Sequence, residues 1–277
     1  YNEVLPKLIK DAIEQVKIYR NLADRFKSND SWEPILKERV IGSLEGTSAY
    51  DSLTAEDIDS LVRAFKEISN KDYRDTEYCP GYGNVLEDKK NFMKVFRADH
   101  RYAKDVHAYV SRNEGTYKDD FIKIYNGKCA YCGTSIRINP KSMFEIDHFI
   151  PQSAACFAKK ADAGEINNLV LSCRICNHNK SDFLMKAENQ NLLHPDCEGI
   201  RNAFFRDEMY YIRVADGQPS EVKDFYRKLG LDRQSCRLDY LLLNMKGLYE
   251  KTTDRQDVHD LLGKAILLLY EKRNNCC

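Results

Sequence analysis

The chain of 277 residues has no run of eighteen or so apolar residues, so nothing in it reads as a membrane-spanning helix. The longest apolar stretch near the C-terminus, Ala265 to Tyr270, is short and has lysines beside it. It has no net charge either, with 43 Lys and Arg against 43 Asp and Glu. A protein that only coats nucleic acid is usually strongly basic, so simple coating is disfavoured, while a local basic surface or a partner that shares the grip is still allowed. No repeat and no low-complexity tract is visible, which argues against a solenoid or a disordered scaffold. No signal-peptide pattern opens the sequence at Tyr1, and a cytoplasmic location is expected.

Cysteine, by contrast, is plentiful. Of ten cysteines, four form two Cys-x-x-Cys pairs, Cys129 with Cys132 and Cys173 with Cys176. Cys79, Cys156, Cys197, Cys236, Cys276 and Cys277 share no spacing. Disulfide frameworks belong to small secreted chains; paired knuckles in a chain of this length point to metal and a reducing compartment. Four thiolates are the ligand set of a structural zinc site. The segment between the knuckles, Gly133 to Ser172, is too long for a compact zinc ribbon and must fold itself. No thioredoxin-like βαβ pattern surrounds either pair, so disulfide exchange is not expected.

Around this frame the periodicity is helical. Leu5, Leu8, Ile9, Ala12, Ile13 and Val16 recur at three- and four-residue steps within a helix over 1–27. A second helix is predicted over 33–44. A third starts with the capping pattern Thr54-Ala55-Glu56-Asp57 and carries Ile58, Leu61, Val62, Phe65 and Ile68 on one face. Pro80, Gly81 and Gly83 mark a loop over 70–88, and a helix is predicted over 88–110. On that helix His100 and His107 lie seven apart and read as solvated or partner-facing. The chain divides into a helical region 1–117, available for docking a partner, a Cys-, His- and Asn-dense module 118–190, and a C-terminal part 191–277. That last part begins with a hairpin, Phe204-Phe205-Arg206 and Tyr210 to Val214, with a turn at Ala215-Asp216-Gly217. Helices over 221–229, 234–251 and 254–273 follow. The fold class expected is α+β, mostly helical, with a small central β unit.

Between the knuckles, Phe144-Glu145-Ile146-Asp147-His148-Phe149-Ile150-Pro151 reads as a strand ended by its proline. Asn167 to Ser172 reads as a second strand, and Asn177-His178-Asn179-Lys180 as the start of a short helix. This is a strand, long loop, strand, helix order. A neutral imidazole can take a proton near pH 7. A carboxylate and an amide oxygen suit a hard cation such as Mg²⁺ or Mn²⁺, whereas the thiolates select zinc. Neighbours on a regular strand face opposite sides. Asp147 and His148 therefore share a site only if the strand bends or ends there.

Cys-Ala-Tyr-Cys-Gly at 129–133, Ile-Asp-His-Phe-Ile-Pro at 146–151, Asn-Leu-Val-Leu-Ser-Cys at 168–173 and Cys-Asn-His-Asn-Lys at 176–180 together resemble the HNH endonuclease family. The resemblance implies a ββα-metal module that hydrolyses phosphodiester bonds in DNA and leaves a 5′-phosphate. It implies His148 as the general base, Asn168 as the residue that fixes the loop and the base, and Asn177 at the third signature position, with His178 as the alternative. It further implies Asp147 and Asn177 as ligands of a catalytic Mg²⁺ or Mn²⁺, Lys180 as a cation for the nucleic-acid backbone, and Cys129, Cys132, Cys173 and Cys176 as ligands of a structural zinc. The layout beyond Leu192 is similar to HNH subunits of anti-phage defence systems of the Septu and retron-associated kind, which implies an ABC-type ATPase partner. A catalytically inactive zinc-bearing adaptor and an RNA-directed nuclease are the rival readings.

Overall fold

A computed structural model describes residues 72–112, 115–207 and 209–275. The helices expected over 1–27, 33–44 and 54–68, and the tail cysteines Cys276 and Cys277, lie outside the described residues. Asn84 opens helix α1 (Val85–Asp99) by accepting a hydrogen bond from the Glu87 amide with its side chain, so an otherwise orphaned N–H is satisfied. Val85, Phe92 and Phe96 fall on its buried stripe, as does Lys89. The helix expected to run to 110 instead ends at Asp99 and resumes as a single turn, α2 (His107–Val110). The cause is local: the Arg97 guanidinium turns onto the carbonyls of His100 and Ala103 and stabilises a turn there. Helix α3 (Thr116–Ile124) packs against α1, with Phe121 edge-on to Phe92 at 6.2 Å between ring centroids.

Strands β1 (Phe144–His148) and β2 (Leu169–Cys173) form an antiparallel pair. The register sets Phe144 opposite Cys173 at one end and His148 opposite Leu169 at the other. Every residue of β2 is buried, which fits its apolar run. Phe144, Leu169 and Leu171 are wholly buried, and each large apolar side chain removed from water contributes about 1.5–3 kcal/mol. Helix α4 (Arg174–Lys180) follows β2 directly and lies on the sheet. The expected mostly helical α+β fold with a ββα unit is what the structure has.

Beyond it come the short helices α5 (Ala187–Leu193) and α6 (Gly199–Ala203), then the hairpin β3 (Phe204–Arg206) with β4 (Ile212–Val214). The hairpin turns at 207–211, where the Asp207 carboxylate accepts from the amides of Met209 and Tyr211, both at 2.9 Å. Ala215-Asp216-Gly217 instead leads on to α7 (Ser220–Leu229), which ends on Gly230 in the left-handed conformation, φ 60°. The long helices α8 (Gln234–Lys251) and α9 (Gln256–Asn274) pack on each other. All described residues belong to the compact unit Asp72–Cys277. No helix among them is long and apolar enough to cross a membrane.

Candidate metal centre and active site

The two ends of the β1–β2 ladder carry different chemistry. At the Cys173 end, the four knuckle cysteines converge: their sulfurs all lie within 4.8 Å of one another, and all four residues are buried. The Cys132 and Cys173 sulfurs are 3.8 Å apart. A tetrahedron with zinc–sulfur bonds of about 2.3 Å has edges of about 3.8 Å, so the donor set fits zinc in size as well as in softness. Burial opposes ionisation of Cys129, but hydrogen bonds from the other three thiols pull it well below the ordinary thiol value. Gly133 completes the first knuckle at φ 75°; a Cβ there would meet the Arg74 carbonyl oxygen at 2.9 Å.

The first knuckle is gripped from outside. The carbonyls of Cys129, Ala130, Tyr131 and Cys132 accept, in order, from Tyr82, Arg74, Tyr73 and Arg206 side chains, the last three at 2.6, 2.6 and 3.3 Å. Ala130 also donates its amide to the Leu171 carbonyl at 2.7 Å, which ties the knuckle to β2. These partners come from residues 73–82 and from β3, and local spacing could not reveal them.

At the other end sits His148. Its Nε2 is 3.1 Å from the Gln152 amide nitrogen, and its ring lies 4.2 Å, centroid to centroid, from the ring of His107. His107 in turn lies 3.2 Å, at Nε2, from the Ile146 carbonyl oxygen. A carbonyl only accepts, so His107 carries a proton on Nε2. Burial, then His107, then Lys180 push the His148 pKa down to about 4, which keeps the imidazole neutral at pH 7. Asn168 anchors the loop that follows. Its Oδ1 accepts from the Ile150 amide at 2.8 Å, and its Nδ2 donates to the carbonyls of Ile150 and Ala163 at 3.0 and 2.9 Å. Both directions of the amide are used, which no apolar residue could imitate.

Asp147 and His148 do not share a pocket. The strand runs straight through His148, and Pro151 lies too far on to turn it. The Asp147 side chain is buried, where its two oxygens take the Tyr131 hydroxyl at 2.6 Å and the Lys180 ammonium at 3.1 Å. Burial pushes this carboxyl up against the pull of Lys180 and Tyr131. Lys180 links the two neighbours in another way, by donating to the His148 carbonyl at 2.7 Å. Among the described residues β1 pairs only with β2, and its outward carbonyls at Ile146 and His148 are capped by His107 and Lys180.

Two expectations change here. Lys180 has no exposed surface, so from this position it holds Asp147 and β1 and does not meet a nucleic-acid backbone. A lysine is buried only when its charge is paired, and local spacing does not announce a partner thirty-three residues back. Asp147 and Asn177 do not assemble a hard-cation site as placed. Asn177 donates to Glu145 at 2.7 Å, and a cation could reach Asp147 only after Lys180 had left it. Among the described residues, the four-cysteine set is the one group of three or more His, Cys, Asp or Glu placed to hold a metal. His178, the alternative to Asn177, is exposed on α4.

Sequence reasoning missed Tyr131, Gln152 and His107. Tyr131 sits inside the Cys-x-x-Cys knuckle, where a buried aromatic hydroxyl needs a partner, so its role could have been suspected. His107 carried no local signal, because only the turn at His100 brings it to His148. His100 itself packs among Phe96, Tyr109 and Tyr117, away from that pair.

The HNH endonuclease family model matches residues 129–183. The Septu protein PtuB of Bacillus mycoides (strain KBAB4) is 30% identical over 125 residues, covering 39% of this chain. The match spans 40% of that relative's length. No solved structure matches the chain. Residues 129–183, with their four-cysteine metal-binding cluster, are an HNH endonuclease domain in a chain distantly related to a Septu defence protein.

Proposed function

We propose that the chain is an endonuclease that hydrolyses phosphodiester bonds in DNA, with His148 as general base. The observation that carries this reading is a neutral, half-buried His148 at the end of β1, beside a loop pinned by Asn168, inside the matched domain. His148 takes a proton from the attacking water. The Gln152 amide nitrogen beside Nε2 can only donate, so Nε2 accepts and is the unprotonated nitrogen that takes the proton once the attacking water displaces the amide. A phosphodiester brought close adds negative charge, which raises the imidazole pKa from its depressed value towards the working pH. The half-exposed neighbour His107 and the exposed Lys159 and Lys160 of the β1–β2 loop supply donors and positive charge for the phosphate.

By analogy with the Septu relative, the chain serves an anti-phage defence system and works beside a second subunit, an ABC-type ATPase in our reading. The N-terminal region, 1–117, is proposed as the docking part and the module 118–190 as the cutting part.

The test is side-by-side digestion of plasmid, single-stranded DNA and tRNA, with and without added Mg²⁺ or Mn²⁺, by the wild type and by His148→Ala. Cutting of DNA by the wild type alone is expected. Cutting of tRNA but not DNA would turn the reading to an RNA nuclease. Binding without cutting under saturating metal and with the partner present would turn it to an adaptor.

A further inference from the structure

Zinc held by four thiolates leaves two negative charges. Here those charges would sit among residues that are almost wholly buried, and an unbalanced charge in such surroundings is costly. The one cation within the knuckles, Arg174, is exposed and faces Glu145 at 3.9 Å. Two reach the cluster from the C-terminal part, outside the matched domain.

The first is Arg233, the residue that precedes α8. Its Nη2 lies 3.6 Å from the Cys176 sulfur and 3.6 Å from the Cys236 sulfur. Its Nη1 donates to the Leu229 carbonyl, and its Nε is buried without a hydrogen-bond partner. A guanidinium in this setting calls for a counter-charge, and what its Nη2 faces is the cluster sulfur of Cys176 and the neighbouring sulfur of Cys236. The second cation is the buried Arg206 of β3, which donates at 2.9, 2.7 and 3.3 Å to the carbonyls of Tyr73, Tyr210 and Cys132. Cys236 is a fifth sulfur beside the cluster.

We infer that Arg233, seconded by Arg206, is the counter-charge that stabilises the metal-loaded thiolate cluster, so that the C-terminal part completes the zinc centre. The cluster needs a cation and Arg233 needs an anion; each answers the other. Arg233 touches no reacting atom, so it is a positioning residue for the metal. The inference concerns zinc retention and stands whether or not the chain cuts nucleic acid.

The experiment follows zinc transfer from the purified full chain to an excess of a chromogenic chelator. Arg233→Lys keeps the charge, Arg233→Gln keeps N–H donors without charge, and Arg233→Met keeps bulk alone. Gln and Met are expected to release zinc at least about tenfold faster than wild type, with Lys within about threefold of it. In the cobalt-loaded protein, the thiolate charge-transfer bands should shift for Gln and Met and hold for Lys. Should Arg233→Met fail to fold, the order of Lys against Gln decides. Wild-type release from Gln, or faster release from Lys than from Gln, overturns the inference, because shape or donor geometry would then be at work in place of charge.

Discussion

The two ends of the β1–β2 ladder differ in how they spend their polar groups. At the Cys173 end everything is closed: four buried thiols, four knuckle carbonyls held by side chains from elsewhere, and two arginines at the back. At the His148 end the groups are half-open, with two imidazoles and an amide that keep unused hydrogen-bonding capacity. Lys180 and Asp147 lie between them, fully inside. A rigid, saturated end that positions a less saturated one is what a site for chemistry requires. The cysteine end is saturated as a frame, and the histidine end keeps hydrogen-bonding groups in reserve.

Breaking the closed end has the largest expected effect. Cys176→Ser removes one ligand, and binding energies of about 10–16 kcal/mol for structural zinc in small domains show how much folding free energy hangs on the complete set. The variant should lose zinc and its thermal transition together, as read by metal analysis and calorimetry. Next comes Lys180→Met, which leaves the Asp147 carboxylate buried and unpaired. A loss of about 3–5 kcal/mol is expected in denaturant unfolding. The double variant with Asp147→Asn should recover part of it. The salt dependence of DNA binding should keep its slope, because a buried ammonium releases no counterion.

The pH profile sharpens the open end. His148, with its pKa pushed down to about 4, is neutral and competent above that value and loses activity as pH falls through it. The acid limb of kcat/KM should therefore lie near pH 4 and not near 6.5. His107 helps to hold that pKa down, so His107→Ala should move the limb upward. An unmoved limb would separate the two histidines. The smallest effect is expected from Glu145→Ala, which removes the acceptor of the Asn177 bond and costs about 0.5–1.5 kcal/mol of stability.

Legibility in the sequence followed locality. Cys-x-x-Cys spacing announces its ligands because a knuckle is a local turn, and Asn168 is legible because its amide serves the loop beside it. The helices α7 and α8, expected over 221–229 and 234–251, lie within a residue of those ends. Long-range partners were not legible. Arg74, Tyr73 and Tyr82 reach the knuckle from some fifty residues away, and Arg206 and Arg233 from beyond it on the other side. The burial of Lys180 was not legible for the same reason: a basic residue after a motif reads as surface until its buried carboxylate is known.

One preparation tests whether frame and chemistry are separate in this molecule. His148→Ala should be purified with wild-type zinc content and wild-type thermal stability, and its DNA cleavage should fall by about 10²–10⁴-fold. Undiminished cleavage by this zinc-replete, folded variant would contradict the assignment of His148 as the base and, with it, the division of labour between the two ends.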